Sequence, residues 1–198
     1  MNPNIPTPSI DEVNKYLTLW QTLENYRLQE NALNKLFIEL APNNTDISDV
    51  LIKSATLNDF YSTNIFTIYP VAKHIMQVKN IDERLKNGDV TLIDDIKTIT
   101  INGKTKHFYS FTSKYCSHHN SNDFPIYDSY VEKVLLYLNK THRFSDFNQA
   151  NLKDYAKFKS VLLDFQAFFK LDDYNLKQID QYLWLLGKEF FPKYKNAK

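Results

Sequence analysis

Glycine and cysteine are both scarce in this chain of 198 residues, and each shortage excludes a class of protein. Three glycines cannot build glycine-rich phosphate-binding loops or the many tight turns of an all-β fold. The single cysteine, Cys116, cannot form an intramolecular disulfide, and no zinc cluster can be assembled from thiolates. The rest of the composition is rich in good helix formers and favours a mostly helical protein.

A strong excess of charge is also missing, because 24 basic and 23 acidic residues leave a formal net charge of +1. A protein that coats DNA through a general positive field is usually far more basic, so nucleic-acid binding here requires a local basic patch. No apolar run approaches the roughly 18 residues that span a bilayer, and the N-terminus lacks a signal-peptide pattern. We expect a cytoplasmic protein.

The chain predicts helices joined by short turns, with one exception. Ser9 and Glu12 form a capping box at the start of the first helix. Gly187, inside the last predicted helix, is expected to permit a close approach between helices. The exception is the segment 98–108, which alternates in polarity around Asn102-Gly103, the strongest short hairpin signal. We therefore expect a mostly α protein with one small β-hairpin.

The stretch from Ser110 to Val134 concentrates titratable and aromatic residues more than any other part of the chain. It predicts a helix, a polar turn, a short extended segment and a second helix. Lys114 and Asp128 lie fourteen positions apart in it, with a chain reversal between them. The polar turn is expected to bring Asp128 back toward Lys114.

Residues of the first helix in this stretch divide between two faces. Phe111 and Tyr115 fall on one face, whereas Ser110, Lys114 and His118 fall on another. Small residues beside a lysine leave room for a reacting group to approach its amine. The alternative is an ordinary solvated polar face, which is the commoner outcome for an arbitrary helix.

Asp128 directly precedes the second helix, where an aspartate is usually an N-cap. Ser129 and Glu132 form a capping box of their own, and if Ser129 is the cap, the Asp128 carboxylate is available for another role. A neutral lysine amine can form a Schiff base, and a nearby carboxylate can stabilise developing positive charge. If the carboxylate instead keeps Lys114 charged, the pair is only a salt bridge.

The pattern from Ser113-Lys114 to Pro125-Ile-Tyr-Asp128 resembles the helix-hairpin-helix DNA glycosylases, especially their 8-oxoguanine glycosylase-like branch. In that family a lysine at the start of one helix is followed by a proline-valine-aspartate entry to the next. The segment from Tyr61-Ser-Thr-Asn-Ile65 through Val71-Ala-Lys-His-Ile75 also resembles a helix junction of these enzymes. The resemblance implies a two-lobed, glycosylase-like helical bundle.

The resemblance covers residues 50–140, which we interpret as a core lobe of a single globular unit, 1–198. Long helices in 9–45 and 150–191 are expected to form a second lobe. Three departures stand out. The family's L-P-G-[VI]-G hairpin is absent and Phe108–Thr112 stands in its place, the lysine–aspartate spacing is shorter than expected, and no four-cysteine iron–sulfur motif follows.

The resemblance implies a DNA glycosylase, with or without AP-lyase activity, that excises a damaged or modified base in DNA repair or in antiviral defence. Such an enzyme flips the target base out of double-stranded DNA. Lys114 is then the nucleophile at the sugar's anomeric carbon, and Asp128 stabilises the positive charge that develops there. We expect a monomer that needs no cofactor.

Further residues are candidates for contacts with the DNA. Aromatic stacking or hydrogen bonding to the flipped base is expected from Tyr61, Tyr109, Tyr115, His118 and Tyr127. A basic patch on the predicted hairpin is expected to bind the phosphates of the DNA backbone through Lys104, Lys106 and His107. The plain alternatives are core packing for the aromatic residues and a solvated turn for the basic ones.

The adjacent histidines His118 and His119 suggest a metal site with Asp123 or Asp128. Neighbouring side chains point to different sides of a helix, so we expect no metal there. A second function stays open: a non-catalytic helical module that keeps the fold and binds nucleic acid or a protein partner.

Overall fold

The computed structural model describes residues 4–192 and is mostly helical, as the sequence predicts. Within that range it has ten α-helices and one two-stranded antiparallel hairpin. No helix in the described range is both long and apolar enough to cross a membrane. The helices are α1 (Ile10–Thr22), α2 (Glu24–Asn34), α3 (Ile47–Phe60), α4 (Ile68–Gln77), α5 (Ile81–Lys86), α6 (Leu92–Lys97), α7 (Tyr109–His119), α8 (Ser129–His142), α9 (Tyr155–Phe169) and α10 (Leu176–Phe190), and the strands are β1 (Thr98–Ile101) and β2 (Lys104–His107).

The chain divides into two compact units. The central unit is Asn25–Ile126, and the terminal unit combines Met1–Glu24 with Tyr127–Lys198. The lobes predicted at 50–140, and at 9–45 with 150–191, follow other boundaries and stay a prediction.

Local sequence signals account for the ends of several elements. The Ser9 side chain accepts a hydrogen bond from the backbone N–H of Glu12 over 3.2 Å, which confirms Ser9 as the cap of α1. The Glu12 carboxylate contacts Lys15 and does not complete the predicted capping box. The hairpin is confirmed as well, with Thr98 paired to His107 and Ile101 to Lys104. Its turn residues, Asn102-Gly103, have φ angles of 50° and 73°, the left-handed values that this type of turn requires.

Helix α7 is enclosed by the rest of the central unit. It packs against α3, α5 and α6 and against the π-helical segment Lys35–Leu40, which continues α2. Every residue from Phe111 to His118 is therefore buried, including Lys114. Buried polar side chains usually find hydrogen-bond partners inside the fold, and in α7 the Thr112 hydroxyl is an exception. The candidate site consists largely of those partners.

In the terminal unit, α10 packs against α1 and α8. A Cβ atom added at Gly187 would lie 2.6 Å from the Cβ of Tyr130, which confirms the predicted close approach of two helices. The Tyr16 hydroxyl donates to Glu189 over 2.7 Å and joins α1 to α10.

The turn between α3 and α4 is organised by the side chain of Asn58. Its Oδ1 accepts hydrogen bonds from the Thr63 hydroxyl at 2.7 Å and the Ile65 N–H at 2.9 Å, and its Nδ2 donates to the Ile65 carbonyl. Ile65 is buried, whereas the ring of the next residue, Phe66, is 97% exposed. A well-anchored turn thus presents an aromatic ring to solvent.

Candidate active site

Lys114 is buried and contacts both its own helix and the end of α3. Its side chain is only 2% exposed. The Nζ atom donates to the hydroxyl of Ser110, one turn earlier, over 2.7 Å and lies 5.2 Å from the centroid of the Tyr61 ring. The electron-rich face of an aromatic ring attracts a cation. Lys114 therefore occupies a defined, desolvated position and not a solvated helix face.

His118 completes this side of α7. The Tyr61 hydroxyl and Nε2 of His118 are 3.0 Å apart, and their ring centroids are 5.8 Å apart. His118 is 6% exposed. Since Ser110, Lys114 and His118 recur at every fourth position, they form one stripe along the helix. The structure thus brings three predicted site residues together: Tyr61, Lys114 and His118.

The other side of α7 faces a polar network centred on Asn44. Lys53, on α3, is completely buried and donates through Nζ to Oδ1 of Asn44 at 2.7 Å and to the carbonyl of Asn43 at 2.9 Å. The hydroxyl of Tyr115 also donates to Oδ1 of Asn44. Burial lowers the pKa of Lys53 to about 8, although the charges of Asp82 and Asp49 oppose that change.

The amide nitrogen of Asn44 points away from Lys53. Nδ2 donates to Oδ1 of Asp82 over 2.6 Å, and the backbone N–H of Asn44 lies 3.1 Å from each oxygen of the same carboxylate. Nε2 of His119 lies 3.4 Å from both Asn44 Nδ2 and Lys53 Nζ. Burial, and then the charge of Lys53, lower the pKa of His119 to about 3, so its ring is neutral at pH 7.

Two predicted base-stacking residues of the central unit have different surroundings. Tyr115 is 0% exposed and packs against Phe37, with ring centroids 5.3 Å apart. Burial raises its pKa well above the usual value. Tyr109 is half-buried, and Nζ of Lys97 lies 5.5 Å from its ring centroid. Tyr115 is a member of the Asn44 network, and stacking of Tyr109 on a base stays a prediction.

Asp128 is the N-cap of α8. Its backbone is extended, and Oδ1 accepts a hydrogen bond from the N–H of Tyr130 over 2.8 Å. Of the two caps that the sequence allowed, Ser129 is wrong, because it is the first residue of the helix itself. Lys114 belongs to the central unit and Asp128 to the terminal unit, and their predicted meeting stays a prediction.

Tyr127 lies in a cluster of the terminal unit built around Glu132. The Glu132 carboxylate accepts hydrogen bonds from Tyr127, from Lys153 at 2.6 Å and from Gln149 at 2.7 Å. Burial alone raises the pKa of Glu132, but the three hydrogen bonds prevail and lower it. The Tyr127 ring packs edge-on against Phe158, with centroids 5.5 Å apart. These contacts hold the Tyr127 side chain in place.

The predicted basic patch lies on an exposed strand. Lys104, Lys106 and His107 are all exposed on β2. Cys116 is buried, and burial raises the pKa of its thiol, so it has none of the features of a reactive cysteine. Within residues 4–192, no group of three or more His, Cys, Asp or Glu side chains is placed to hold a metal ion.

Sequence reasoning missed the Asn44 network. Its partners are 9 to 75 positions apart along the chain, and no local motif connects them. One signal was present: Lys53 falls on the buried face of α3 with Val50 and Leu57. A lysine at an apolar-face position needs buried acceptors and indicates a polar network inside the fold.

Comparisons with known proteins place the chain in a family. Residues 12–123 match the model of the family HI_0787_N, described as an N-terminal domain. A protein of Haemophilus influenzae with the printed name "Uncharacterized protein" is 58% identical over 152 residues, which cover 77% of this chain and 73% of that relative. The chain belongs to the HI_0787_N family. No solved structure matches it.

The matched range includes Tyr61, Lys114, His118 and the whole Asn44 network, whereas Asp128 follows its end. The family match ends at residue 123, close to the end of the central unit at Ile126. Most of the matched range therefore lies in the central unit.

Proposed function

We propose that this chain is a cytoplasmic DNA glycosylase that excises a damaged or modified base from double-stranded DNA, with Lys114 as its nucleophile. The observation that supports this proposal best is the burial of Lys114 beside Ser110 and Tyr61. Burial removes water from the amine and holds it in one position, and the neutral amine is the nucleophilic form that the reaction requires.

The proposed reaction follows from that amine. Neutral Lys114 attacks the anomeric carbon of the flipped nucleotide, the bond from that carbon to the base breaks, and the base leaves with the bonding electrons and takes up a proton. Opening of the sugar ring then gives a Schiff base. Loss of a C2′ proton from it can break the C3′–O bond by β-elimination and release the downstream strand with its 5′ phosphate. The resemblance assigns to Asp128 the stabilisation of positive charge on the sugar.

Exposed residues of the central unit supply candidate DNA contacts. Lys104, Lys106 and His107 give β2 a local basic patch suited to phosphates. Phe66 suits insertion between bases, because its ring is 97% exposed on an anchored turn. Apolar side chains that wedge between base steps are a common device of proteins that distort DNA.

A second candidate function is a non-catalytic module that binds nucleic acid or a protein partner. The observation that favours it is the role of Asp128 as a helix cap, since its carboxylate has a structural function already. The replacement Asp128→Asn separates the two functions, because asparagine caps a helix as well as aspartate but carries no charge.

The decisive experiment combines borohydride trapping with a base-release assay on duplexes that carry an abasic site, an oxidised base or a base modified as in phage DNA. We expect an adduct with the wild type, no adduct with Lys114→Ala, and an unchanged adduct with Lys79→Ala, a control at an exposed lysine of the same unit. Base release should fall in Asp128→Asn without loss of stability. Absence of both adduct and base release on all duplexes favours the binding module.

A further inference from the structure

The central unit contains a cavity of about 730 Å³ whose lining includes none of the predicted catalytic or DNA-contacting residues. It lies between the π-helical segment, the turn that follows it, α5 and the end of α7. Ile38, Pro42 and Leu85 supply apolar surface, and Asp82, Glu83 and His119 supply polar groups. The cavity is wide open to solvent, and its volume lies in the range of sites for small organic ligands.

His119 provides a hydrogen-bond donor in this cavity. Its Nε2 lies 3.4 Å from two N–H donors, Lys53 Nζ and Asn44 Nδ2, so Nε2 accepts and the single ring proton is on Nδ1. Nδ1 has no hydrogen-bond partner among residues 4–192. Because burial keeps the pKa of this imidazole low, the tautomer persists at pH 7.

Two carboxylates provide acceptors. Asp82 is oriented by the Asn44 amide and backbone N–H, and an ionised carboxylate with about four lone-pair sites retains capacity for further donors. Glu83 is exposed, and its side chain has no hydrogen-bond or ion-pair partner within the described range. The lining of the cavity therefore combines neighbouring acceptors on Asp82 and Glu83 with donor groups on His119, Lys86 and Asn43.

We propose that this cavity binds a guanine-type nucleobase or nucleoside. Guanine presents two adjacent donors, the N1–H and the exocyclic 2-amino group, which suit a carboxylate. Its O6 and N7 are acceptors, which suit the N–H of His119. The flat faces of the base are apolar enough to cover Ile38, which is 55% exposed.

Other ligand classes fit less well. Adenine has an acceptor at N1 where guanine has a donor, so a carboxylate would face a lone pair, and an unpaired contact of this kind costs affinity. A phosphate or carboxylate ligand meets like charge from Asp82 and Glu83, and the one ammonium group in the lining, that of Lys86, offsets only part of it. A single methyl group on N1 of guanine removes the central donor and tests the proposed orientation directly.

The test is calorimetric titration of the full chain with guanosine, adenosine and 1-methylguanosine. We expect saturable one-to-one binding of guanosine, with adenosine and 1-methylguanosine weaker by about tenfold or more. Glu83→Gln and His119→Phe should each weaken guanosine binding by about tenfold, which corresponds to roughly 1.4 kcal/mol. The matched control is Asp59→Asn, an exposed carboxylate of the same unit that does not line the cavity.

Three results would overturn the proposal: no saturable guanosine binding at millimolar concentration, equal binding of 1-methylguanosine, or unchanged binding in both cavity variants. The Lys114→Ala variant separates this site from the proposed glycosylase chemistry. It should keep guanosine binding while it loses the borohydride adduct. Loss of guanosine binding in that variant would place the ligand at the Lys114 site and overturn the proposed cavity site.

Discussion

Inside the central unit, the ammonium group of Lys53 donates to the side-chain oxygen of Asn44 over 2.7 Å, with Lys53 completely buried. The side-chain oxygen of Asn44 accepts hydrogen bonds from Lys53 and Tyr115. Its side-chain nitrogen donates to Asp82 and His119. All the hydrogen-bonding capacity of one amide is thus used to link a loop to three helices.

Replacement of Asn44 by alanine should lower the free energy of unfolding by about 2–4 kcal/mol. The change leaves a buried ammonium short of an acceptor and deprives Asp82 and Tyr115 of partners. Urea denaturation followed by circular dichroism measures the loss. The control is Asn43→Ala at the exposed neighbour, whose backbone carbonyl still serves Lys53 and which should change stability by less than about 0.5 kcal/mol. Equal effects of the two replacements would contradict the network's role.

Stability should fall in mild acid because of His119. Its pKa is about 3 in the folded protein and about 6.5 in the unfolded chain, so the unfolded chain binds more protons between those values. The contribution is fully present above pH 6.5 and is lost as the pH falls toward 3. Relative to His119→Gln, the wild type should lose about 2 kcal/mol between pH 6 and pH 4, as measured by urea midpoints. A difference that does not vary with pH would show that His119 titrates normally.

Gly187→Ala should destabilise the terminal unit by about 1–3 kcal/mol. The added methyl group would lie 2.6 Å from Tyr130 Cβ and 2.9 Å from its carbonyl oxygen, so α8 and α10 must separate locally. In an exposed helix the same exchange is stabilising by up to about 1 kcal/mol, so the sign of the effect is diagnostic. Thermal unfolding measures it, with Ser160→Ala on the exposed side of α9 as the control. A stabilised Gly187→Ala variant would disprove the close contact.

Phe66→Ala should leave the melting temperature nearly unchanged, because a ring that is 97% exposed contributes almost nothing to the core. If Phe66 enters DNA as proposed, the variant should bind damaged duplex at least about threefold more weakly in fluorescence anisotropy. Phe66→Trp should retain binding. Leu163→Ala, at a 49% exposed residue of the terminal unit, should have no effect on affinity. Equal affinities for all four proteins would remove Phe66 from the DNA interface.

Local chemistry made much of the fold predictable from sequence. The cap at Ser9 and the hairpin at Asn102-Gly103 depend on groups within a few residues of each other, and both are confirmed. The close approach at Gly187 is confirmed because only a missing side chain allows it. The choice between Asp128 and Ser129 as the cap was not predictable, since both residue types accept the same hydrogen bond.

The candidate site was predictable only in part. Helical spacing correctly assigned Ser110, Lys114 and His118 to one stripe of α7. It could not show that Tyr61, 57 positions earlier than His118, faces that stripe, although the resemblance suggested its involvement. The sequence did not predict the Asn44 network because asparagine in a loop is usually an exposed turn residue. Only in the folded chain do helices surround Asn44.

The division of the chain into units has a practical consequence for protein production. A fragment truncated where the family match ends, at residue 123, would retain α1 but lose α10, and the aromatic surface of Tyr16 that normally packs on Tyr182 would be bared to water. Such a fragment should aggregate for reasons unrelated to the central unit. Residues 25–126 contain Lys114 and leave out both α1 and α10, so a fragment with these bounds has no exposed Tyr16 surface of this kind.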